Sequence, residues 1–421
     1  MAQAFPSPCR LTQEALSPTQ LSEPATVRVA LLTGGLDRHY ATSLALALAS
    51  KRVALDVIGS DEVDSPELRA APNAVFFNFL KRKPENATFI EKASRFLVYY
   101  LKLIRYAASA KPKVFHILWN SKLEAFDRTL LMLYYKALGK RITLTAHNVN
   151  AGKRDSNDSM ANRLTLRIQY HLTDHIFVHT EQMKRELLHD FGVQERAISV
   201  IPFGINDCVP DTGLTPAEAK QRLGIKETDR TILFFGAIRP YKGLDCLAEA
   251  FRRQAANHPE YRLIIAGEPK KGSEKYLSDI QRNLSSEHGP TVIQRIYHIP
   301  DEETELYFKA ADVLALPYTH IFQSGVLFLA YSFGLPVIAA DVGSFREDVL
   351  EGRTGFLCKP RDPVDLAAAI ERYFESDLFK TLSGRRQGIR DYAAARHSWD
   401  LVSELTRKVY ATLGGSGGSD S

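Results

Sequence analysis

Cysteine is scarce, with four residues in 421: Cys9, Cys208, Cys246 and Cys358. None stands in a C-x-x-C pair or another metal-ligand spacing. That excludes a disulfide scaffold or zinc-cysteine module and points to reduced thiols in a cytosolic protein. Long apolar runs are also missing. No stretch reaches the about 18 residues that a spanning helix needs. The longest candidate, 326–340, is broken by Ser332, Gly334 and Pro336 and reads as buried core. The opening MAQAFPSPCR lacks the apolar segment of a secretory signal. Neither sign of charge dominates: 54 Lys and Arg face 49 Asp and Glu, a net +5. So small an excess does not call for nucleic acid as a partner, although it allows a local basic patch. With 45% hydrophobic and 24% charged residues, the chain is neither disordered nor fibrous. Its length suits two domains of about 100–200 residues each, with room for a third.

What is present is an alternation of short apolar runs and longer amphipathic stretches. Residues 1–26 carry Pro6, Pro8, Pro18 and Pro24 among polar residues and read as a flexible leader. VRVALLTGG (27–35) reads as a strand entering a glycine turn, followed by a helix over 41–50. VALDVIG, AVFFNF, VFHILW, ITLTAH, HIFVHT and ISVIPFG continue as strands. Continuous Val/Ile/Leu runs imply strands buried on both faces, hence a parallel sheet. A second series starts at TILFFG (231–236) and runs through YRLIIAG, VLALPY, PVIAA and GFLC. The expected fold is α/β: two Rossmann-like, doubly wound parallel-sheet domains, 27–205 and 206–395, facing a central cleft. A C-terminal amphipathic helix over 396–413 and a flexible tail over 414–421, ending GGSGGSDS, complete the chain.

Three strand ends carry chemistry. In FFGAIRPYKG (234–243) a strand stops at Gly236 and a loop delivers Arg239 and Lys242 to a helix start at Gly243. Glycine permits close backbone approach, and cations at a helix start suit a phosphate or diphosphate. The pattern alone fits a solvated loop equally well. In TAHNVNAG a strand ends near His147, which can meet a sugar hydroxyl, act in acid/base chemistry or simply be a satisfied strand-end histidine. In LPYTHIFQSGVLF (316–328) a loop leads to a helix whose first turn is Ser324–Gly325–Val326. Free amides there can hold phosphate oxygens or be ordinary helix caps.

These stretches, with VIPFGI, HIFVHTEQMKREL, IYHIPDEETELYFKAADVLALP and GLPVIAADVGSFREDVLEGRTGFLCKPRDP, are similar in order and spacing to glycosyltransferase family 4, the retaining group 1 glycosyltransferases of GT-B fold. The resemblance covers about 27–412. It implies a hexosyltransferase of the retaining kind, working without metal or cofactor on a UDP- or GDP-linked sugar. The acceptor implied is a glycan, glycolipid or polyprenyl-linked sugar of envelope polysaccharide or glycoconjugate synthesis. It further implies that Arg239 and Lys242 bind the donor diphosphate, that His147 contacts the donor sugar, and that Gly34 and Gly35 lie in the first loop against the donor. Ile299 would meet the base through its backbone, and Gly236, Gly325 and Val326 would face the phosphates. Two departures stand out. Ala237 occupies the position where relatives carry the arginine. The family's paired glutamates are replaced by Ile321 and Leu329, as in a subgroup with an SG motif, leaving Gln323 and Ser324 as their substitutes.

Other signals weigh less. His171, His175 and His179 recur every four residues, but DHIFVHT reads as a strand, so the three should not share a helical face for a metal. Residues 81–113 hold nine Lys and Arg against Glu85 and Glu91. A helical wheel puts Ala93, Leu97, Tyr100, Leu101 and Ile104 on one face and Lys92, Arg95, Lys102 and Arg105 on another. This suits a core helix with a solvated basic side. It also suits peripheral docking of a cytoplasmic enzyme on the anionic inner face of the plasma membrane. The competing functions are a non-catalytic GT-B-fold sugar- or nucleotide-binding relative, which the missing glutamates keep open, and a GT-B-fold epimerase.

Overall fold

The computed structural model describes residues 27–34, 38–81, 88–154, 158–205, 209–285 and 291–415. Among these, two compact units separate: residues 205–396, and residues 27–204 together with 397–415.

The N-terminal unit is built on seven strands: β1 (Arg28–Leu32), β2 (Ala54–Ser60), β3 (Ala74–Leu80), β4 (Val114–Ile117), β5 (Arg141–Thr145), β6 (His175–Val178) and β7 (Ile198–Val200). They pair in parallel in the order β3-β2-β1-β4-β5-β6-β7. Val29, Leu31, Val57 and Phe177 are fully buried, as an apolar strand covered on both faces requires. The helix Arg38–Ser50 covers one face with an almost unbroken row of Leu and Ala. The helix Trp399–Gly415 lies against it, so the chain's far end completes this core. Gly204 makes the join possible, since a Cβ there would lie 2.3 Å from the Trp399 indole. This helix includes Gly414 and Gly415, two residues assigned above to the tail. Gly414 lies beside Val27 of the core, so the helix is held beyond the point where glycine would let it fray.

The C-terminal unit has six strands: β8 (Arg230–Phe235), β9 (Tyr261–Ala266), β10 (Val292–Arg295), β11 (Val313–Leu316), β12 (Val337–Ala340) and β13 (Gly355–Cys358). Their order is β10-β9-β8-β11-β12-β13, again parallel. In both sheets the strand order reverses beside the first strand, between β1 and β4 and between β8 and β11. Doubly wound sheets take ligands at that place, beyond the carboxyl ends of the strands.

The helix Phe89–Ser109 departs from the wheel drawn from its sequence. A capping box, Thr88 with Glu91, starts it. Its inner face is Tyr99, Tyr100, Leu103 and Ala107, all buried. Leu97 and Leu101, grouped above with Tyr100, are instead 62% and 51% exposed. At 100° per residue Leu97 lies about 60° and Leu101 about 100° beyond Tyr100, outside the arc of about 100° that Tyr99, Leu103, Ala107 and Tyr100 turn to the core. Arg82 and Lys83, from the same basic stretch, lie outside the described residues. No described helix is long and apolar enough to cross a membrane.

Candidate active site

In the C-terminal unit the loop after β8 is pinned from both sides. Gly236 N–H donates to Ala266 O, and Ile238 exchanges backbone hydrogen bonds with Glu268 and Lys270 after β9. The 3₁₀ turn Pro240–Lys242 is held from the other side, where Thr319 N–H donates to Tyr241 O. Gly243 then turns the chain at φ 68° into the helix Leu244–Ala255, in a space where a Cβ would lie 2.0 Å from Pro317 O. Only glycine meets both demands.

This scaffold folds Lys242 back over the end of β8. A Cβ on Gly236, whose φ is 96°, would lie 3.2 Å from Lys242 Nζ and 3.6 Å from Val326 Cγ2. The ammonium therefore sits above a bare glycine backbone, against the first turn of the helix Gly325–Ser332. Its Nζ lies 5.4 Å from the centre of the Tyr318 ring. Lys242 is buried, and among the described residues no carboxylate forms an ion pair with it. Burial, helped by the charges of Arg239 and Lys270, lowers its pKa to about 8. A desolvated lysine without a counterion, beside free helix-start amides, is a site for an anion. Ser324 is the cap residue of that helix, but its side chain makes no capping bond. Gln323 Oε1 is buried with no hydrogen-bond partner among the described residues. Ile321 and Leu329 are buried apolar side chains. Gly236, Lys242, Ser324, Gly325 and Val326 thus come together. Arg239 is near enough for its charge to act on Lys242. Ile299 is buried in the loop after β10, a strand two places from β8.

The N-terminal unit builds a different site from the ends of β1, β4, β5 and β6. Gly34, at φ 62°, packs on Trp119, whose carbonyl oxygen would lie 2.5 Å from a Cβ there. Gly35 lies outside the described residues. The Trp119 indole stacks on the His147 ring, with centroids 4.2 Å apart and planes within 5°. Tyr40 meets the same ring edge-on at 4.6 Å. His147 Nδ1 lies 3.2 Å from His179 Nε2, and His179 Nδ1 lies 3.2 Å from Ile201 O. Burial, with the neighbouring histidines, holds the His147 pKa well below the ordinary range, and burial lowers that of His179 to about 4. His147 Nε2 is buried without a partner among the described residues, which costs about 1–3 kcal/mol unless a ligand satisfies it. Of the three spaced histidines, His171 ends a helix, His175 is in β6 and His179 follows it. No helical face joins them.

A family model described as "Glycosyl transferases group 1" matches residues 216–395, and one described as "Glycosyltransferase Family 4" matches residues 33–207. The chain belongs to the group 1 glycosyltransferases. Among curated proteins, a D-inositol 3-phosphate glycosyltransferase of Geodermatophilus obscurus is 30% identical over 56% of this chain and 52% of its own. One from Mycobacterium tuberculosis is 27% identical over 97% of this chain and 84% of its own. The chain spans little more than half the length of several such relatives. Among solved structures, Anabaena HepE in complex with UDP and glucose aligns with TM-score 0.70 at 16% identity, over 92% of this chain and all of that one. Sucrose-phosphate synthase from Thermosynechococcus elongatus aligns at 0.71 and 19%, over 93% and 100%. These likenesses, with the two parallel sheets, establish the GT-B fold.

Sequence reasoning passed over Trp119, Tyr40 and Tyr318 entirely and weighed His179 only as a metal ligand. Trp119 had a usable signal, since it stands just past the apolar run VFHIL at a strand's carboxyl end.

Proposed function

We propose that this glycosyltransferase moves a hexosyl group from a nucleotide-diphospho-sugar to a glycan, glycolipid or polyprenyl-linked acceptor, with retention of anomeric configuration. The observation that carries the proposal is Lys242, buried over Gly236 at the switch point of the C-terminal sheet and without a counterion among the described residues. The donor diphosphate binds there, between Lys242, Arg239 and the amides of Gly325 and Val326. Breaking the sugar–phosphate bond leaves negative charge on the diphosphate and positive charge on the ring. The two cations and the helix-start amides stabilise the leaving group, where charge grows in the transition state. The acceptor hydroxyl attacks from the face the diphosphate leaves, and a departing phosphate oxygen takes its proton. His147 meets a hydroxyl of the donor sugar. Leaving-group stabilisation by cations makes the reaction metal-independent.

The helix Phe89–Ser109 supports a cytoplasmic enzyme held at an anionic membrane. It exposes Ile90, Leu97, Val98 and Leu101 beside Arg105, and Leu130 and Leu133 are exposed on the segment that packs next to it. A non-catalytic binding relative or an epimerase is not favoured, since the curated relatives bear glycosyltransferase names.

Calorimetry with UDP, GDP and ADP tests the donor site. One nucleotide should bind the wild type and lose about tenfold or more in affinity in both Arg239→Ala and Lys242→Ala, because each removes a charge-assisted contact. Wild-type binding by both variants refutes the site. The matching nucleotide-sugar, offered with inositol phosphate and with lipid-linked sugars, should yield a product whose anomeric signal matches the donor's, with turnover unchanged by a chelator. An inverted product or chelator-abolished turnover refutes the mechanism.

A further inference from the structure

The two histidines of the N-terminal unit form a directed chain. Ile201 O is a carbonyl oxygen and can only accept, so His179 Nδ1 carries a proton and donates to it at 3.2 Å. Burial keeps His179 neutral, which leaves its Nε2 with a lone pair. The 3.2 Å contact to His147 then requires His147 Nδ1 to be the protonated donor. His147 is neutral too, so its Nε2 bears a lone pair and no proton. That is the buried nitrogen for which the described residues provide no partner. His116 gives a contrast within the same unit. It is equally buried, but its Nδ1 meets Tyr410 Oη and its Nε2 lies 2.8 Å from Thr145 Oγ1, so nothing remains for a ligand.

We propose that His179 is a positioning residue that locks His147 in its Nδ1–H tautomer, so that His147 Nε2 meets the substrate only as an acceptor from a hydroxyl group. The proposal rests on the reading of His147 as a sugar contact and adds its direction. The stack on Trp119 and the edge of Tyr40 fix the plane of the ring. The Ile201 carbonyl, through His179, fixes which nitrogen holds the proton. Nε2 therefore selects a sugar that offers an O–H at this place. A deoxy or fluoro sugar cannot donate there and forfeits the bond.

Two measurements test this on the full chain. Long-range proton–nitrogen NMR of the histidine-labelled, unliganded protein should show both His147 and His179 neutral and protonated at Nδ1. A His147 protonated at Nε2 overturns the proposal whatever the enzyme's reaction. The second uses His179→Phe, which keeps the ring shape among Tyr40 and Phe203 but cannot accept, and His179→Gln, whose amide can both donate to Ile201 O and accept from His147. Phe should lower turnover about tenfold to a hundredfold, the range for partners that orient a functional histidine, with affinity for the free nucleotide unchanged. Gln should restore most of the loss. Wild-type turnover in a folded His179→Phe enzyme, or no rescue by Gln, overturns the relay. If the wild type transfers no sugar from any donor, the transferase reading fails while the NMR result still decides the tautomer.

Discussion

The two units share a topology and differ in the chemistry they place on it. Each is a parallel sheet whose order reverses beside its first strand. Each puts a positive-φ glycine where the first loop crosses the neighbouring strand end: Gly34 against Trp119 in one, Gly243 against Pro317 in the other. Beyond that the sites diverge. The N-terminal one is neutral, made of Trp119, Tyr40 and two uncharged imidazoles. The C-terminal one is cationic, made of Lys242 over glycine backbone with the charge of Arg239 acting on it. Backbone topology selects where a ligand can sit, and side-chain polarity selects what suits it: a neutral site suits hydroxyls and a cationic one suits anions.

Acid should break the comparison most strongly. His116, His147 and His179 are buried and neutral, with pKa values lowered to about 3 for His116, about 4 for His179 and well below the ordinary value for His147. The unfolded chain protonates each near pH 6.5, so unfolding takes up protons below that pH. Stability is then lost as pH falls from about 6.5 toward 4, at roughly 1.4 kcal/mol per pH unit per histidine. Asp127, raised to about 6 by burial, offsets part of this with opposite sign. The C-terminal unit has the stabilising sign in Asp348, also raised to about 6. Trp119 and Trp399, the two tryptophans of the chain, both lie in the N-terminal unit. Their fluorescence should therefore report a transition at higher pH than hydrogen exchange reports for the C-terminal strands. Coincident transitions, or a C-terminal unit that opens first, would contradict this.

Next in size is the pair of switch-point glycines. Gly243→Ala adds a clashing Cβ at positive φ and should cost about 2–3 kcal/mol or more of stability, abolishing nucleotide binding. Gly272→Ala, at φ 89° with open space around it, is the control and should cost about 1 kcal/mol. Gly34→Ala should disturb the Trp119–His147 stack and lower turnover while nucleotide affinity holds. Equal loss of nucleotide affinity in Gly34→Ala and Gly243→Ala would erase the division of labour.

The pH dependence of binding should be smaller. A bound diphosphate favours charged Lys242, so binding above about pH 8 draws a proton from solution. Affinity should fall as pH rises through 8, by up to tenfold per unit, and calorimetry in buffers of different ionisation heat should show the uptake. An affinity flat from pH 7 to 9.5 would argue against Lys242 as a phosphate ligand. The smallest effect concerns the helix Phe89–Ser109. A basic side chain at an anionic leaflet contributes on the order of 1 kcal/mol. Leu97→Glu with Leu101→Glu should release the protein from anionic vesicles while leaving its melting temperature unchanged, since both side chains are exposed. No vesicle binding by the wild type at low salt ends that reading.

The alternation of apolar runs and amphipathic stretches was enough to give two doubly wound sheets, because a strand buried on both faces must be apolar throughout. The loop of Arg239 and Lys242 was legible for a similar local reason: strand, glycine and cation stand within nine residues of one another. Tertiary structure alone decided the rest. Trp119, His147 and His179 come from three different strand ends, and the Trp399 and Tyr410 rings reach the same unit from the far end of the chain. No periodicity links such residues. Their contacts exist because parallel strands bring all their carboxyl ends to one edge. The outward turn of Leu97 and Leu101 was hidden in the same way. A helical wheel shows which residues share a face, but only the packed neighbour determines how much of that face is covered.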